Sequence, residues 1–476
     1  MFPKYWSDMF QPFLNDIPGR PFAEVVATVE AELGKPITES FASFAETPLG
    51  VASIGQVHRA VLNDGTRVVV KVQNPTAETN FRGDVFAIKT LIDAFAPQVS
   101  PAFEEMEKQF ATEFDYRGEA KNGDDVRANL EASGWLAKDV LVPRNFSATK
   151  SVLVMEEIYP SIPLHTALDR QLELLAKQRG ISKQALMDEE MAKMDEEARE
   201  AARTGKLKRT VSMHTYDKFI ALQRSRRTVM RAYAKLWNYS VGLLLPKSLK
   251  YDLSSVGSDV MVPINAARLV DTLLAVHGQE VLLDGAFNTD PHPGNILFVD
   301  GKHPKLGLID YGQVKRLTKE QRLNVCRSIV IVDAAIKLDP RSNPDVDPRE
   351  HQAARAGVCK MFLELGFRTE KNDPEVHYQM ATTFLGRVDR AWLYPQNLIQ
   401  ASDEWQAKDP VRDVTPVDYF VMINITTFML RGLAEMLRQP RNLASCWAPY
   451  ARQALATEGE LAEVDKEIAS WKLPKP

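Results

Sequence analysis

Thr289-Asp290-Pro291-His292-Pro293-Gly294-Asn295, followed fourteen residues on by Ile309-Asp310-Tyr311-Gly312, is the stretch that decides the reading of this chain. Between the two blocks, Ile296 to Val299, Asp300-Gly301 and Leu306 to Ile309 predict a β-hairpin, because an Asp-Gly pair tolerates the positive φ of a tight turn. The hairpin sets the separation of two loops that carry two carboxylates and an amide. Such groups suit phosphoryl transfer, which asks little covalent chemistry of a protein and a great deal of electrostatics. In that chemistry Asn295 and Asp310 offer the oxygen ligands that hard Mg²⁺ takes. Asp290, five residues before the Asn in a D-x-x-x-x-N loop, is placed to orient or deprotonate the acceptor.

Upstream residues supply what this chemistry still lacks. Around Asn63-Asp64-Gly65, a strong hairpin turn, the chain alternates between apolar and polar residues from Ile54 to Val72. On the second strand Val68, Val70 and Val72 share one face, so Lys71 projects from the other and can reach phosphates as their cation. The loop Pro48 to Val57 reads Gly50-Val51-Ala52-Ser53 at its start, and its small residues let backbone N–H groups approach a phosphate, although the pattern is no G-x-G-x-x-G. A long helix is predicted from about Pro101 to Ser133, with Asp115 and Glu119 on one face by i,i+4 spacing and Glu113 beside them. Glu119 is the candidate partner of Lys71. Ser151 to Met155 reads as a buried strand that ends at Glu156-Glu157.

Arg20 to Phe44 begins with a helix stopped at Gly34-Lys35-Pro36, and the segment from Lys319 to Trp471 is mainly helical by its apolar periodicity. Strands early and helices late describe a two-lobed α+β protein. The expected units are residues 1–165 (N-lobe), 166–250 (a charged helical insertion) and 251–476 (C-lobe with the catalytic and metal loops). With the phosphate-site residues this is a protein-kinase-like fold, with a small β-sheet N-lobe and a mainly helical C-lobe. The insertion's alternating charges suit a solvated helix face. Its basic clusters at Lys206 to Arg209 and Arg224 to Arg231 also offer a contact for a membrane surface or an anionic partner.

Composition narrows the classes further. In 476 residues a net charge of -4 gives no general electrostatic reason to bind nucleic acid. The three cysteines, Cys326, Cys359 and Cys446, lie far apart, as reduced core thiols do, and outside any metal-type spacing. His292 sits between prolines without Cys or His neighbours, which suits bracing a loop rather than binding zinc. No apolar run approaches the length of a bilayer-spanning helix, and Met1 to Arg20 resembles neither a secretory signal nor a transit peptide.

Together, Val51-Ala52-Ser53-Ile54-Gly55-Gln56-Val57-His58, Glu113-Phe114-Asp115-Tyr116, Asp290-Pro291-His292-Pro293-Gly294-Asn295 and Ile309-Asp310-Tyr311-Gly312 closely resemble the UbiB/ADCK-type (aarF-domain) atypical kinases. The resemblance covers most of the chain apart from the helical insert. It implies ATP and Mg²⁺ as cofactors and a role in ubiquinone or other isoprenoid-quinone lipid metabolism, alongside proteins of that pathway, in a mitochondrion, plastid or bacterium. It also implies that Lys71 pairs with Glu119, that Glu113 and Asp115 form the family's E-x-D element near the nucleotide, and that Met155, Glu156 and Ile158 belong to the adenine-contacting hinge.

The departures are specific. The family's Lys-x-Gly-Gln segment is absent, as expected of a fragment or an incomplete gene model, and Asn288 stands where the family usually has His. Two other readings fit the same residues: a pseudokinase scaffold that binds ATP and transfers nothing, and a small-molecule phosphotransferase.

Overall fold

The computed structural model describes residues 19–472, apart from 53, 96–99, 137, 205–209, 258–259, 302, 388–389 and 415–416. The readings made for Ser53, for the chain before Gly19 and for Lys206 to Arg209 lie outside the described residues.

Helix α1 (Phe22–Leu33) ends where Gly34 takes φ 68°, a left-handed cap that costs glycine no Cβ clash. Strands β1 (Phe41–Phe44), β2 (Gly50–Val51), β3 (Gly55–Leu62) and β4 (Arg67–Gln73) follow. Gly65, at φ 87°, makes the predicted turn between β3 and β4. Helices α2 (Ala77–Phe95), α3 (Ser100–Ala111) and α4 (Tyr116–Ala132) come next. The single long helix expected from Pro101 to Ser133 is therefore broken. A 3₁₀ turn at Thr112–Phe114 separates α3 from α4, and the Asp115 carboxylate caps α4 by accepting from the Arg117 N–H at 3.0 Å. Aspartate satisfies an orphan helix donor there better than it serves a helix interior.

β5 (Val140–Leu141), β6 (Asn145–Ala148), β7 (Val152–Glu156) and β8 (Ile162–Pro163) complete the strands of the first half. The N-lobe sheet is antiparallel in the order β1-β3-β4-β7-β6, with β2 added to β3. Its two faces have different partners. Val68, Val70, Val72, Val152 and Val154 bury one face together with Val25 and Val29 of α1. Each such side chain contributes about 1.5–3 kcal/mol on leaving water. The opposite face carries Leu153 and Met155 against Tyr116 and Ala120 of α4, and Lys71 lies on that side, registered with Leu153.

The helices α5 (Leu164–Arg179), α6 (Lys183–Thr204) and α7 (Met213–Tyr239) precede the larger core. That core gathers α8 (Ala266–Gln279), strands β9 (Ala286–Asn288), β10 (Ile296–Val299), β11 (Lys305–Leu308) and β12 (Val314–Arg316), and the helices α9 (Lys319–Lys337), α10 (Pro348–Glu364), α11 (Tyr419–Met436) and α12 (Leu443–Thr457). A two-lobed α+β kinase-like fold results.

Two pairings in the C-lobe position the loops of interest. β10 and β11 form the predicted hairpin, with Ile296 opposite Leu308. β9 and β12 pair antiparallel, with Asn288 opposite Val314, so residues 289–295 and 309–313 leave the same small ribbon side by side. α8 runs into β9 through a π-helical turn at Glu280–Asp284, closed by Gly285 at φ 69°. Trp447 of α12 anchors that run, since its indole N–H donates to the Leu274 carbonyl at 2.7 Å and its ring lies 2.9 Å from where a Cβ on Gly278 would sit. Truncating this fully buried side chain with Trp447→Ala should cost about 3–5 kcal/mol, as core aromatic deletions do. The expected result is a lower urea midpoint with an unchanged m-value.

Candidate active site

Lys71 reaches across the space between the lobes. Its Nζ donates to Glu119 Oε1 at 2.6 Å and to Asp310 Oδ2 at 3.1 Å, from partners 48 and 239 residues away in the chain. The ammonium also lies 5.4 Å from the centre of the Tyr116 ring. Burial opposes its charge, but the facing Asp310 and Glu119 carboxylates outweigh burial and hold Lys71 well above its ordinary range. Asp310 in turn is held below the usual carboxylate range, because Lys71 and the N–H of Gly312, 3.0 Å away, overcome the effect of burial.

The other carboxyls move the opposite way. Burial pushes Glu119 up to about 7 against the pull of Lys71, with Asp310 repelling it. Glu113 is likewise raised to about 7 by burial and by Asp310. Asp290 is raised, chiefly by burial, with Asp310 adding to it against His292. Four carboxyls therefore crowd one lysine, a distribution that favours an added cation.

Asn295 Nδ2 donates to Asp290 Oδ2 at 3.2 Å and to its carbonyl at 3.3 Å, which leaves the Asn295 Oδ1 as an acceptor. His292 braces its loop as expected, with Nδ1 accepting from the Gly294 N–H at 2.9 Å. Asn288 ties the two loops together. Its Nδ2 donates to the Asp310 carbonyl at 2.6 Å, its Oδ1 accepts from the Asp290 N–H at 2.8 Å, and its own N–H donates to Glu280 at 3.3 Å. A cleft of about 480 Å³ collects Lys71, Glu113, Glu119, Asp290, Asn295 and Asp310. A larger cavity of about 630 Å³, around Asn129, Trp135 and Tyr450, contains none of them.

The loop above the cleft contributes only its second half, namely Ala52 and Ile54 to Val57. Gly55 has to be small, since a Cβ would sit 2.5 Å from the Val72 carbonyl oxygen and 2.9 Å from the Tyr116 hydroxyl. Gly50 and Val51 instead pair with Val57 and Gln56 as strand β2 and do not line the cleft. Asp115 is also outside it, because capping α4 turns its carboxylate to Arg117, 2.6 Å away at the surface. The cleft lining omits Met155, Glu156 and Ile158 as well. Met155 is buried against Tyr116 and Ala120, Glu156 accepts from the Arg144 N–H at 3.2 Å, and Ile158 packs on Gly307.

Several lining residues, Gln313, Phe81 and Phe110 among them, belong to none of the sequence motifs. Gln313 donates to Glu113, and Phe81, Phe110 and Phe114 form an apolar wall, with the rings of Phe81 and Phe114 5.1 Å apart. Gln313 directly follows the Asp310-Tyr311-Gly312 block, and that adjacency was its only available signal.

A family model for the ABC1 atypical kinase-like domain matches residues 13–192 and 258–340, together more than half of the chain. The chain belongs to the ABC1 atypical kinase-like family. Among curated proteins it is 37% identical over 150 residues to AarF domain-containing protein kinase 1 of Xenopus tropicalis, covering 30% of this chain and 28% of that protein. It is 34% identical over 165 residues to the Arabidopsis thaliana protein ACTIVITY OF BC1 COMPLEX KINASE 7, chloroplastic, covering 33% of this chain and 24% of that one. A longer match, 22% identical over 345 residues, covers 70% of this chain and 64% of the uncharacterized protein slr0889 of Synechocystis. Each of these matches thus spans less than two thirds of the relative's own length.

Within this ABC1 domain, Glu280 offers a pH test. It is buried, its Oε1 has no hydrogen-bond partner, and burial raises it from 4.5 to about 8. The folded state therefore holds a proton that the unfolded chain releases at lower pH, so stability falls as pH rises from about 4.5 to about 8. Glu280→Gln should flatten that fall, measured as the urea midpoint at several pH values. An unchanged slope would mean that Glu280 is ionised in the folded protein.

Proposed function

We propose that this chain binds ATP with Mg²⁺ in the Lys71 cleft and acts as an atypical kinase or ATPase. The observation that carries the reading is the placement of Lys71 between Glu119 and Asp310, directly beside the Asp290–Asn295 loop. One cation aimed at phosphate oxygens, a carboxylate that orients it and a separate carboxylate with a raised proton affinity are what phosphoryl transfer uses.

The donor set fits Mg²⁺. Asp310 and Asn295 offer oxygens, and among the described residues no group of three or more His, Cys, Asp or Glu could hold a metal ion. Two protein ligands suit an ion that completes its shell with phosphate and water. Bound there, Mg²⁺ would neutralise phosphate charge. Lys71 would hold a phosphate oxygen, Asp290 would accept the proton of the attacking hydroxyl or water, and Ala52 to Val57 would cover the phosphates and exclude solvent. Asn288 would keep Asp290 and Asp310 in register.

The same proposal extends to the biological setting. The motifs resemble kinases of ubiquinone and other isoprenoid-quinone lipid metabolism, and one relative is named as chloroplastic, which supports a mitochondrial or plastid site of action. It also takes the helices within 166–250 as an insertion between the N-lobe and the C-lobe.

The test is ATP turnover by the purified chain with and without Mg²⁺. Asp310→Asn should lower Mg²⁺-dependent turnover by about 100-fold or more, on the scale of losing one charge-stabilising group. Nucleotide binding without phosphate release by either protein would favour the scaffold reading. Rapid phosphorylation of a soluble amine or alcohol would favour a small-molecule phosphotransferase.

A further inference from the structure

Helix α7 and the residues that follow it leave a large apolar surface uncovered. Leu222, Val229, Tyr233 and Leu236 are 56–69% exposed, and their spacing of seven, four and three residues puts them on one stripe of the helix. Arg224, Arg227 and Arg231, on the other side, fasten the helix by donating to Asp300 and to the carbonyls of Val260 and Val256. The apolar stripe thus faces outward from the protein.

The chain then folds back to lengthen the same surface. Asn238 Nδ2 donates to the Tyr251 carbonyl at 2.7 Å and its Oδ1 accepts from the Tyr251 N–H at 2.9 Å. The Tyr251 ring meets those of Tyr233 and Trp237 at 6.1 and 6.4 Å. Leu243 and Leu244 project from the bend between them, 65% and 91% exposed.

Charge identifies the occupant. Residues 213–250 hold eight Lys and Arg against one Asp, a net of +7 in a chain of net -4, so the remainder carries -11. Lys218 and Arg226, both exposed, lie at the edges of the apolar stripe by helical spacing. Arg224, Arg227 and Arg231 turn to the protein, but the outward edges of the stripe keep only cations, so a second copy of this chain meeting the same face would set cation against cation. An interfacial helix needs an apolar stripe, cationic edges and aromatic residues at headgroup depth, and all three are present. No described helix is long and apolar enough to cross a membrane. The family model passes over residues 193–257, so this surface is peculiar to the segment that the family does not define.

We propose that α7 and residues 241–251 form a docking surface for an anionic lipid bilayer, with Leu243 and Leu244 entering the acyl boundary. The test is flotation of the full chain with phosphatidylcholine vesicles, and with vesicles that also contain phosphatidylglycerol. The parent should float with the anionic vesicles alone and be released by high salt. Lys218→Gln and Arg226→Gln should each weaken partitioning about five-fold at low salt. Leu243→Asp with Leu244→Asp should abolish it, and both side chains are exposed enough for the thermal unfolding midpoint to stay at the parent's value. A parent that stays with the protein fraction, or variants that float like the parent, would overturn the proposal. So would a vesicle-free dimer in light scattering that the Leu243→Asp/Leu244→Asp variant dissolves, since that face would then be a protein interface.

Discussion

The Lys71 ammonium, shared between Glu119 on α4 and Asp310 in the loop after β11, is the contact on which the geometry between the lobes depends. One lysine brings together three segments that have no local reason to meet. Half-buried charges of this kind contribute little net stability unless each is matched, because desolvation offsets most of the attraction. Here the match is deliberately incomplete: Glu113, Glu119 and Asp290 all hold protons more tightly than ordinary carboxyls do. An acidic surplus inside a cleft is what a bound cation would relieve.

Around that contact the fold works as a set of clamps. The β9–β12 ribbon and the β10–β11 hairpin hold residues 289–295 and 309–313 from both sides. Asn288 then locks the two loops through its side chain, and Thr112 donates to the Gly312 carbonyl at 2.7 Å to bring in the 3₁₀ turn that carries Glu113. The π-helical turn at Glu280–Asp284 belongs to the same arrangement, since it presents Glu280 to the Asn288 N–H. Departures from regular α-helix often occur at functional positions, and both irregular turns in this region border the cleft's supporting residues.

Much of this was legible in the residues themselves, because the signals are local. Alternation in Val68 to Val72 sorts the faces of β4 without reference to any other strand, and Asn63-Asp64-Gly65 specifies a tight turn through its own backbone preferences. The hairpin expected at Asp300-Gly301 also forms, but it closes at Val299 and Lys305 through a longer connection in which Gly301 does not take a positive φ. The D-x-x-x-x-N spacing and the hairpin before Asp310 likewise need only a short stretch of chain. For that reason Lys71, Asp290, Asn295 and Asp310 could be named from sequence, and the structure brings all four to one cleft.

Which carboxylate meets Lys71, and which acidic neighbours stand aside, was settled by packing over long distances. By periodicity Glu113, Asp115 and Glu119 looked like members of one helix. The break at Thr112–Asp115 instead turns Glu113 into the cleft, sends Asp115 to Arg117 at the surface and leaves Glu119 to reach Lys71. Gly50 and Val51 paired as strand, Met155 packed under Tyr116, and Gln313 and Asn288 acquired partners from segments far away in the chain. Sequence determined the chemistry available and the local shape of each segment, since turn and strand preferences act within a few residues. Tertiary structure alone decided which of those groups share a site, since that depends on how α4 lies against the N-lobe sheet and how β9 pairs with β12.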